Sequence, residues 1–153
     1  MISVCLYFQV HQPHRLKKYS IFDVHAHDNY FDTEKNKNIL LKVAHKCYLP
    51  TNKILLALLK KFPQFKVSFS FSGTVLEQFE LFCPEVLESF QQLVDTGRVE
   101  ILAETYHHSL AFIYSQQEFI DQVVLHRKKI KKLFNFKPTI LRNTDLIYNN
   151  DLA

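Results

Sequence analysis

The chain has 153 residues, 47% of them hydrophobic, with 14 phenylalanines, seven tyrosines, only two glycines and five prolines. That composition excludes a linker or a disordered segment and suits one domain with an aromatic-rich interior. A formal net charge of +4 is too mild to mark a nucleic-acid binder.

The one dense basic run, Lys128, Lys129, Lys131 and Lys132, falls inside an amphipathic pattern and reads as a solvated helix face. Cys5, Cys47 and Cys83 are odd in number, widely spaced and without a C-x-x-C pair, as expected of free thiols in a reducing compartment. The apolar start, residues 2–10, lacks the basic region and small-residue cleavage site of a signal peptide. No stretch reaches the roughly 18–20 apolar residues of a membrane span. A cytoplasmic protein with no nucleic-acid and no membrane partner is the expectation.

In chain order, residues 3–10 (SVCLYFQV) predict the first strand, being short and rich in β-branched and aromatic side chains. Residues 15–37 follow as a long polar and aromatic insertion, of a kind that is functional or disordered. Residues 38–62 carry apolar side chains at helical spacing, with Pro50 expected to break or kink the helix. Residues 66–71 (KVSFSF) predict the second strand. Residues 84–96 predict a helix that opens on Pro84 and stops at Gly97. Residues 99–103 (VEILA) predict the third strand. Residues 116–134 predict a helix capped by Ser115, with Glu118 placed as in a capping box. Residues 139–142 (TILR) predict the fourth strand. The order β-α-β-α-β-α-β specifies an α/β fold with a parallel sheet and right-handed crossovers.

Polar and titratable residues follow each predicted strand. His11, Gln12, Pro13 and His14 follow the first, and Ser72, Gly73 and Thr74 the second, with Glu77 and Gln78 a turn beyond. Glu104, Thr105, Tyr106, His107 and His108 follow the third, and Arg142, Asn143, Thr144 and Asp145 the fourth. In parallel β/α folds the carboxyl ends of the strands share one face, where active sites assemble. Each residue has a plainer reading. His11 can cap a strand, and Glu77 can be a first-turn residue favoured by the helix dipole. Adjacent His107 and His108 point to opposite sides of an extended chain and do not suit one metal ion. His25, His27 and Asp28 have the H-x-H spacing of some metal-dependent barrel hydrolases, but lie over ten residues past the strand end where those enzymes place it.

At these residues the sequence resembles family 57 of the glycoside hydrolases. His11-Gln12-Pro13 after a short strand resembles the family's first signature, and SFSGTVLEQ at 70–78 resembles the second. LRNTDLIYN at 141–149 is similar to the third, which in the α-amylase-like members reads R-N-T-E-L-I-Y, and LAETYHHSL at 102–110 also looks like a family segment. The resemblance covers essentially the whole chain, in order. It implies a (β/α)₇ catalytic barrel, of which this chain would be the N-terminal half with four βα units, acting on α-glucosidic bonds with retention. It places Asp145 at the nucleophile position and His11 and Glu77 at the sugar subsite, with the general acid in a later region. Arg142 and Asn143 would orient the Asp145 carboxylate, and Tyr106 would stack on a pyranose face. The substrate implied is an α-glucan or maltooligosaccharide, with no cofactor and no metal, because two carboxyl groups fill both catalytic roles. Asp145 departs from the family's glutamate, and one methylene withdraws the attacking oxygen by roughly 1–1.5 Å, enough to lower rate heavily. A non-catalytic carbohydrate-binding homologue is therefore an alternative, and a metal-dependent polysaccharide deacetylase-like hydrolase a second. The open edges of half a barrel would be a route to self-association.

Overall fold

The computed structural model describes residues 4–23 and 29–152. Three strands form one parallel sheet in the order β1-β2-β3: β1 is Tyr7–Val10, β2 Val67–Phe71 and β3 Val99–Leu102. The central strand, β2, is buried at Val67, Phe69, Ser70 and Phe71, as a strand covered on both faces of a parallel sheet must be. Val10 pairs with Phe71 and Ser70 with Leu102. That register sets His11, Ser72 and Glu104 close together along the carboxyl edge of the sheet.

The first strand begins at Tyr7, not at residue 3. Residue 3 is outside the described residues, and of 4–6 Leu6 reaches the sheet through its carbonyl, which accepts from Ser68 N at 3.0 Å. The fourth predicted strand is a single parallel bridge, Ala103 to Leu141. Ala103 N donates to the Ile140 carbonyl at 2.8 Å, and the Ala103 carbonyl accepts from Arg142 N at 2.9 Å, so the segment lies beside β3 as expected. It does not extend into a strand: Pro138 has no amide hydrogen to give to a ladder, and Ile140 and Leu141 are exposed. The fold class stands as α/β with a three-stranded parallel sheet, and the four βα units expected are three strands and one bridge.

Five α-helices cover the sheet: α1 (Thr33–Val43), α2 (Leu49–Lys61), α3 (Gly73–Phe82), α4 (Pro84–Val94) and α5 (Gln116–Phe134). Pro50 does not break the chain's helical path. The stretch Ala44–Tyr48 is π-helical and leads straight into α2, with Pro50 in its first turn; the wider turn absorbs the ring and the missing amide hydrogen. The strand and helix pattern read from the sequence leaves out α3, which is buried nearly all round, its polar Thr74 and Gln78 included; Cys83 and Pro84 divide it from α4. α5 keeps the predicted bounds, with Ser115 Oγ accepting from Glu118 N at 3.2 Å and Asn135 closing it in a left-handed conformation.

The core is aromatic. Phe69, Phe71, Phe79, Phe90 and Phe134 are all buried, and the Phe71 ring meets Phe90 edge-on at 4.9 Å and stacks on Phe134 at 5.3 Å. The insertion after β1 doubles back through an antiparallel bridge between Leu16 and Phe31 and is anchored by Asn36. That buried side chain accepts from Arg15 N at 2.8 Å and donates to the Arg15 carbonyl at 3.2 Å. His25, His27 and Asp28 lie outside the described residues. Among those described, no helix is long and apolar enough to cross a membrane.

Candidate active site

β1 ends at Val10 and delivers His11 to the sheet edge beside Ser72. His11 Nδ1 lies 2.7 Å from Ser72 Oγ. Ser72 is also the N-cap of α3: its hydroxyl accepts from Val75 N at 3.3 Å, and its own amide donates to the Val10 carbonyl at 3.1 Å. One serine therefore ties the end of β1 to the start of α3. Burial, and next the nearby His108, hold His11 below the ordinary histidine range, so the ring is neutral near pH 7.

The next turn carries Glu77. Its Oε1 accepts a 2.5 Å hydrogen bond from the Tyr106 hydroxyl, and its Oε2 lies 3.9 Å from His14 Nε2. Tyr106 is 5% exposed. Its ring lies flat against Gly73, where a Cβ would meet three ring atoms at 2.4 Å, and its carbonyl accepts from Gly73 N at 2.7 Å. Only glycine leaves room for that approach. Burial, then the bond to Glu77, push the Tyr106 hydroxyl well above its usual range and keep it a donor. The sequence reading had the ring stacking on a sugar; the structure instead packs one face on Gly73, and Tyr106 reaches the rim through Glu77.

After β3 the chain turns at Glu104–Ser109. His107 is exposed and His108 half-buried, but the backbone here is a turn, with His108 at φ 54°, and not the extended chain that the sequence reading assumed. The His108 ring stacks on His11 with centroids 4.3 Å apart and planes at 26°. Its Nδ1 lies 3.5 Å from Glu104 Oε2, and its Nε2 lies 3.0 Å from the Gln9 amide nitrogen and 4.0 Å from Asp145 Oδ1. The strand-end pattern puts Glu104 and His108 on this rim but assigns neither a part in the sugar site. The signal available was weak, one acidic residue at a strand end four positions before a histidine.

The last segment brings Asp145 to the same rim through His108. Its backbone is left-handed, φ 53° and ψ 22°, and its side chain is 68% exposed. Aspartate tolerates that region better than a longer side chain does, because its carboxyl bonds locally. Arg142 and Asn143 do not orient this carboxylate as expected. The Arg142 guanidinium lies 4.8 Å above the Tyr7 ring, and Asn143 Nδ2 donates to the Ile147 carbonyl at 2.7 Å. Short of Asp145, both remain at the rim with open valences: Arg142 Nη1 and Asn143 Oδ1 are buried and have no hydrogen-bond partner. Thr144 joins the turn to β3, its hydroxyl 3.1 Å from that of Thr105.

His11, His108 and Asp145 thus converge at one point, with Glu77 and Tyr106 on the α3 side and Arg142 and Asn143 on the β3 side. Imidazoles, carboxylates and amides gathered on one rim are groups that bind polyhydroxylated ligands. Among the described residues no group of three or more histidine, cysteine or acidic side chains is arranged to hold a metal ion.

The sequence profile described as "Glycosyl hydrolase family 57" matches residues 5–153. The chain is 46% identical over 152 residues to a putative α-amylase of Methanocaldococcus jannaschii, covering 95% of this chain and 32% of that protein. It therefore spans about a third of the length of this relative. In fold it is similar to the 4-α-glucanotransferase of Thermococcus litoralis, with a TM-score of 0.69 at 19% identity over 97% of this chain and 20% of that one. It is also similar to a family 57-type branching enzyme of Pyrococcus horikoshii, with a TM-score of 0.59 at 15% identity over 92% of this chain and 34% of the other. A profile match over nearly every residue, on a sheet edge that gathers the matching segments, means that the chain belongs to glycosyl hydrolase family 57.

Proposed function

We propose that the protein acts on α-glucans as a retaining glycoside hydrolase or transglycosidase, with these residues forming the first part of a (β/α)₇ barrel in the cytoplasm. The observation that carries this reading is the placement of Asp145 against the His11–His108 stack, its Oδ1 4.0 Å from His108 Nε2. In that reading Asp145 attacks the anomeric carbon and forms a glycosyl ester. A carboxylic acid from another part of the barrel protonates the departing oxygen and then takes a proton from the water, or acceptor sugar, that resolves the ester. His11 and Glu77 bind sugar hydroxyls, Glu77 with the oxygen that Tyr106 leaves free. Arg142 and Asn143 offer an open donor and an open acceptor to the same sugar. Turnover of maltooligosaccharides by the full-length protein and by its Asp145→Ala variant tests this. Loss of at least about 10³-fold in kcat is expected of a missing nucleophile, and equal rates would remove Asp145 from the chemistry.

A second reading has its own observation. Asp145 is mostly exposed, on a left-handed residue, and is one methylene shorter than the glutamate of the α-amylase-like pattern. A site that binds glucan without cleaving it accommodates such a carboxylate. Calorimetry with maltopentaose separates the two: heat of binding without any turnover favours the binding protein.

A further inference from the structure

Glu104 is fully buried, and neither carboxylate oxygen has a hydrogen-bond partner. A carboxylate withdrawn from water costs free energy unless a charged or donor group faces it. The group in reach is the His108 imidazole, with Nδ1 3.5 Å from Glu104 Oε2. The Gln9 amide nitrogen lies nearer Nε2, at 3.0 Å, than Nδ1, at 3.4 Å, and so donates chiefly to Nε2. A carboxylate only accepts and an amide nitrogen only donates. Together they select one tautomer, with the proton on Nδ1 toward Glu104 and the lone pair on Nε2 toward the rim. The ring is held firmly in that pose. It stacks on His11 at 4.3 Å, and its backbone sits at φ 54°, a region where a bulky residue persists only if its surroundings over-determine it.

We propose that His108 is a further substrate-contacting residue of the glucan site, its Nε2 accepting the hydroxyl on the sugar carbon next to the reacting one, with Glu104 as its positioning residue. This rests on the reading that Asp145 attacks the anomeric carbon. With Asp145 Oδ1 at that carbon, an acceptor 4.0 Å to the side is level with the neighbouring ring hydroxyl. Contacts to that hydroxyl are the ones that strengthen in the transition state of retaining glycosidases. In the free protein the Gln9 amide occupies Nε2 at 3.0 Å, so the incoming hydroxyl takes that amide's place and gives its own proton to Nε2. Glu104, through the Nδ1 proton, makes Nε2 the stronger acceptor, as a carboxylate behind a histidine does at metal sites.

The test compares kcat/KM of the full-length protein for an α-maltosyl fluoride and for its counterpart lacking the C2 hydroxyl on the reacting sugar. His108→Phe keeps the stack on His11 and removes the acceptor. It should shrink the discrimination between the two substrates by about 10- to 100-fold, the worth of a hydrogen bond to a polarised group. Glu104→Gln should shrink it by a smaller factor and add nothing in the His108→Phe background. Damage to the fold slows both substrates alike and leaves their ratio unchanged, so an unaltered ratio in His108→Phe overturns the proposal. Nitrogen NMR of His108 gives an answer without turnover. The expected result is a protonated Nδ1 and an Nε2 signal that moves on saturation with maltopentaose. An Nε2 that carries the proton, or that ignores the bound sugar, overturns the proposal. A responding Nε2 in a protein with no turnover upholds the contact and overturns only the catalytic role of Asp145.

Discussion

The two sides of the rim are built differently. At the β2–α3 side, Ser72, Thr74 and Gly73 are buried, Ser72 serves several partners at once, and Tyr106 locks Gly73 and Glu77 together. At the far side, the segment after Pro138 has a single β-bridge to the sheet, Ile140, Leu141, Ile147 and Tyr148 are exposed, and among the described residues Asp145 has His108 alone within ion-pair distance. Of the unpartnered buried atoms among the described residues, Glu104 Oε1 and Oε2, Arg142 Nη1 and Asn143 Oδ1 lie after β3, and Gln78 Oε1 and His126 Nδ1 lie on α3 and α5. The groups proposed to bind sugar, His11 and Glu77, thus stand on a pre-packed scaffold, whereas the residue proposed for the chemistry stands on a more exposed segment. The difference teaches that packing fixes one side of the rim more firmly than the other.

Paired truncations give the largest expected effect. Phe71→Ala, in the aromatic core under β2, should cost about 4 kcal/mol, whereas Leu141→Ala, 40% exposed on the bridge segment, should cost under about 1 kcal/mol. Urea unfolding followed by circular dichroism measures both, and similar values would erase the distinction between the two sides. Gly73→Ala comes next, at about 2–3 kcal/mol, because its methyl would enter the Tyr106 ring. Pairing it with Tyr106→Leu should recover part of the loss if the ring is the obstacle.

Acid should act on the packed side. His126 is fully buried on α5, its Nε2 2.7 Å from the Phe71 carbonyl, and burial holds it below the ordinary histidine range despite that bond and the nearby Glu104. The unfolded chain takes up a proton below about pH 6.5 that the folded ring refuses. Stability is therefore whole above that pH and falls as the pH drops, by at most about 1.4 kcal/mol per unit from this group. His126→Gln, which can still donate to the Phe71 carbonyl, should flatten that slope in urea titrations between pH 5 and 7. The smallest effect is that of Tyr106→Phe, about 1 kcal/mol for one hydrogen bond. Its sharper readout is weaker maltopentaose binding in calorimetry, since Glu77 loses its anchor while Gly73 keeps its cover.

Much of this arrangement was legible in the sequence because the signals were local. Alternating short β-rich runs and capped helical runs located β2, β3 and α5, and the polar residues after each strand located the rim. The failures were long-range. Whether residues 139–142 form a strand depends on what pairs with them, not on their own propensity, and in the run 73–82 the polar Thr74 and Gln78 are buried with the apolar residues, which blurs the inside-outside pattern of a helix. Tyr106 looked like a sugar platform because an aromatic at a strand end has that use. Only the three-dimensional proximity of Gly73 turns it into a clamp. Arg142 and Asn143 were placed on Asp145 by adjacency in sequence, yet the left-handed turn at 145 carries its carboxylate away from them and toward His108. Glu104 and His108 became notable only once burial and spacing were known.

The most direct test of the central claim is chemical rescue at position 145. Asp145→Ala in the full-length protein, given an α-maltosyl fluoride and azide, should form the β-glycosyl azide, because azide enters from the face where the carboxylate stood. That product, with a rate rising with azide concentration, is the result expected of a nucleophile. Wild-type-like hydrolysis by Asp145→Ala, or rescue that yields only the α-azide, would contradict the assignment.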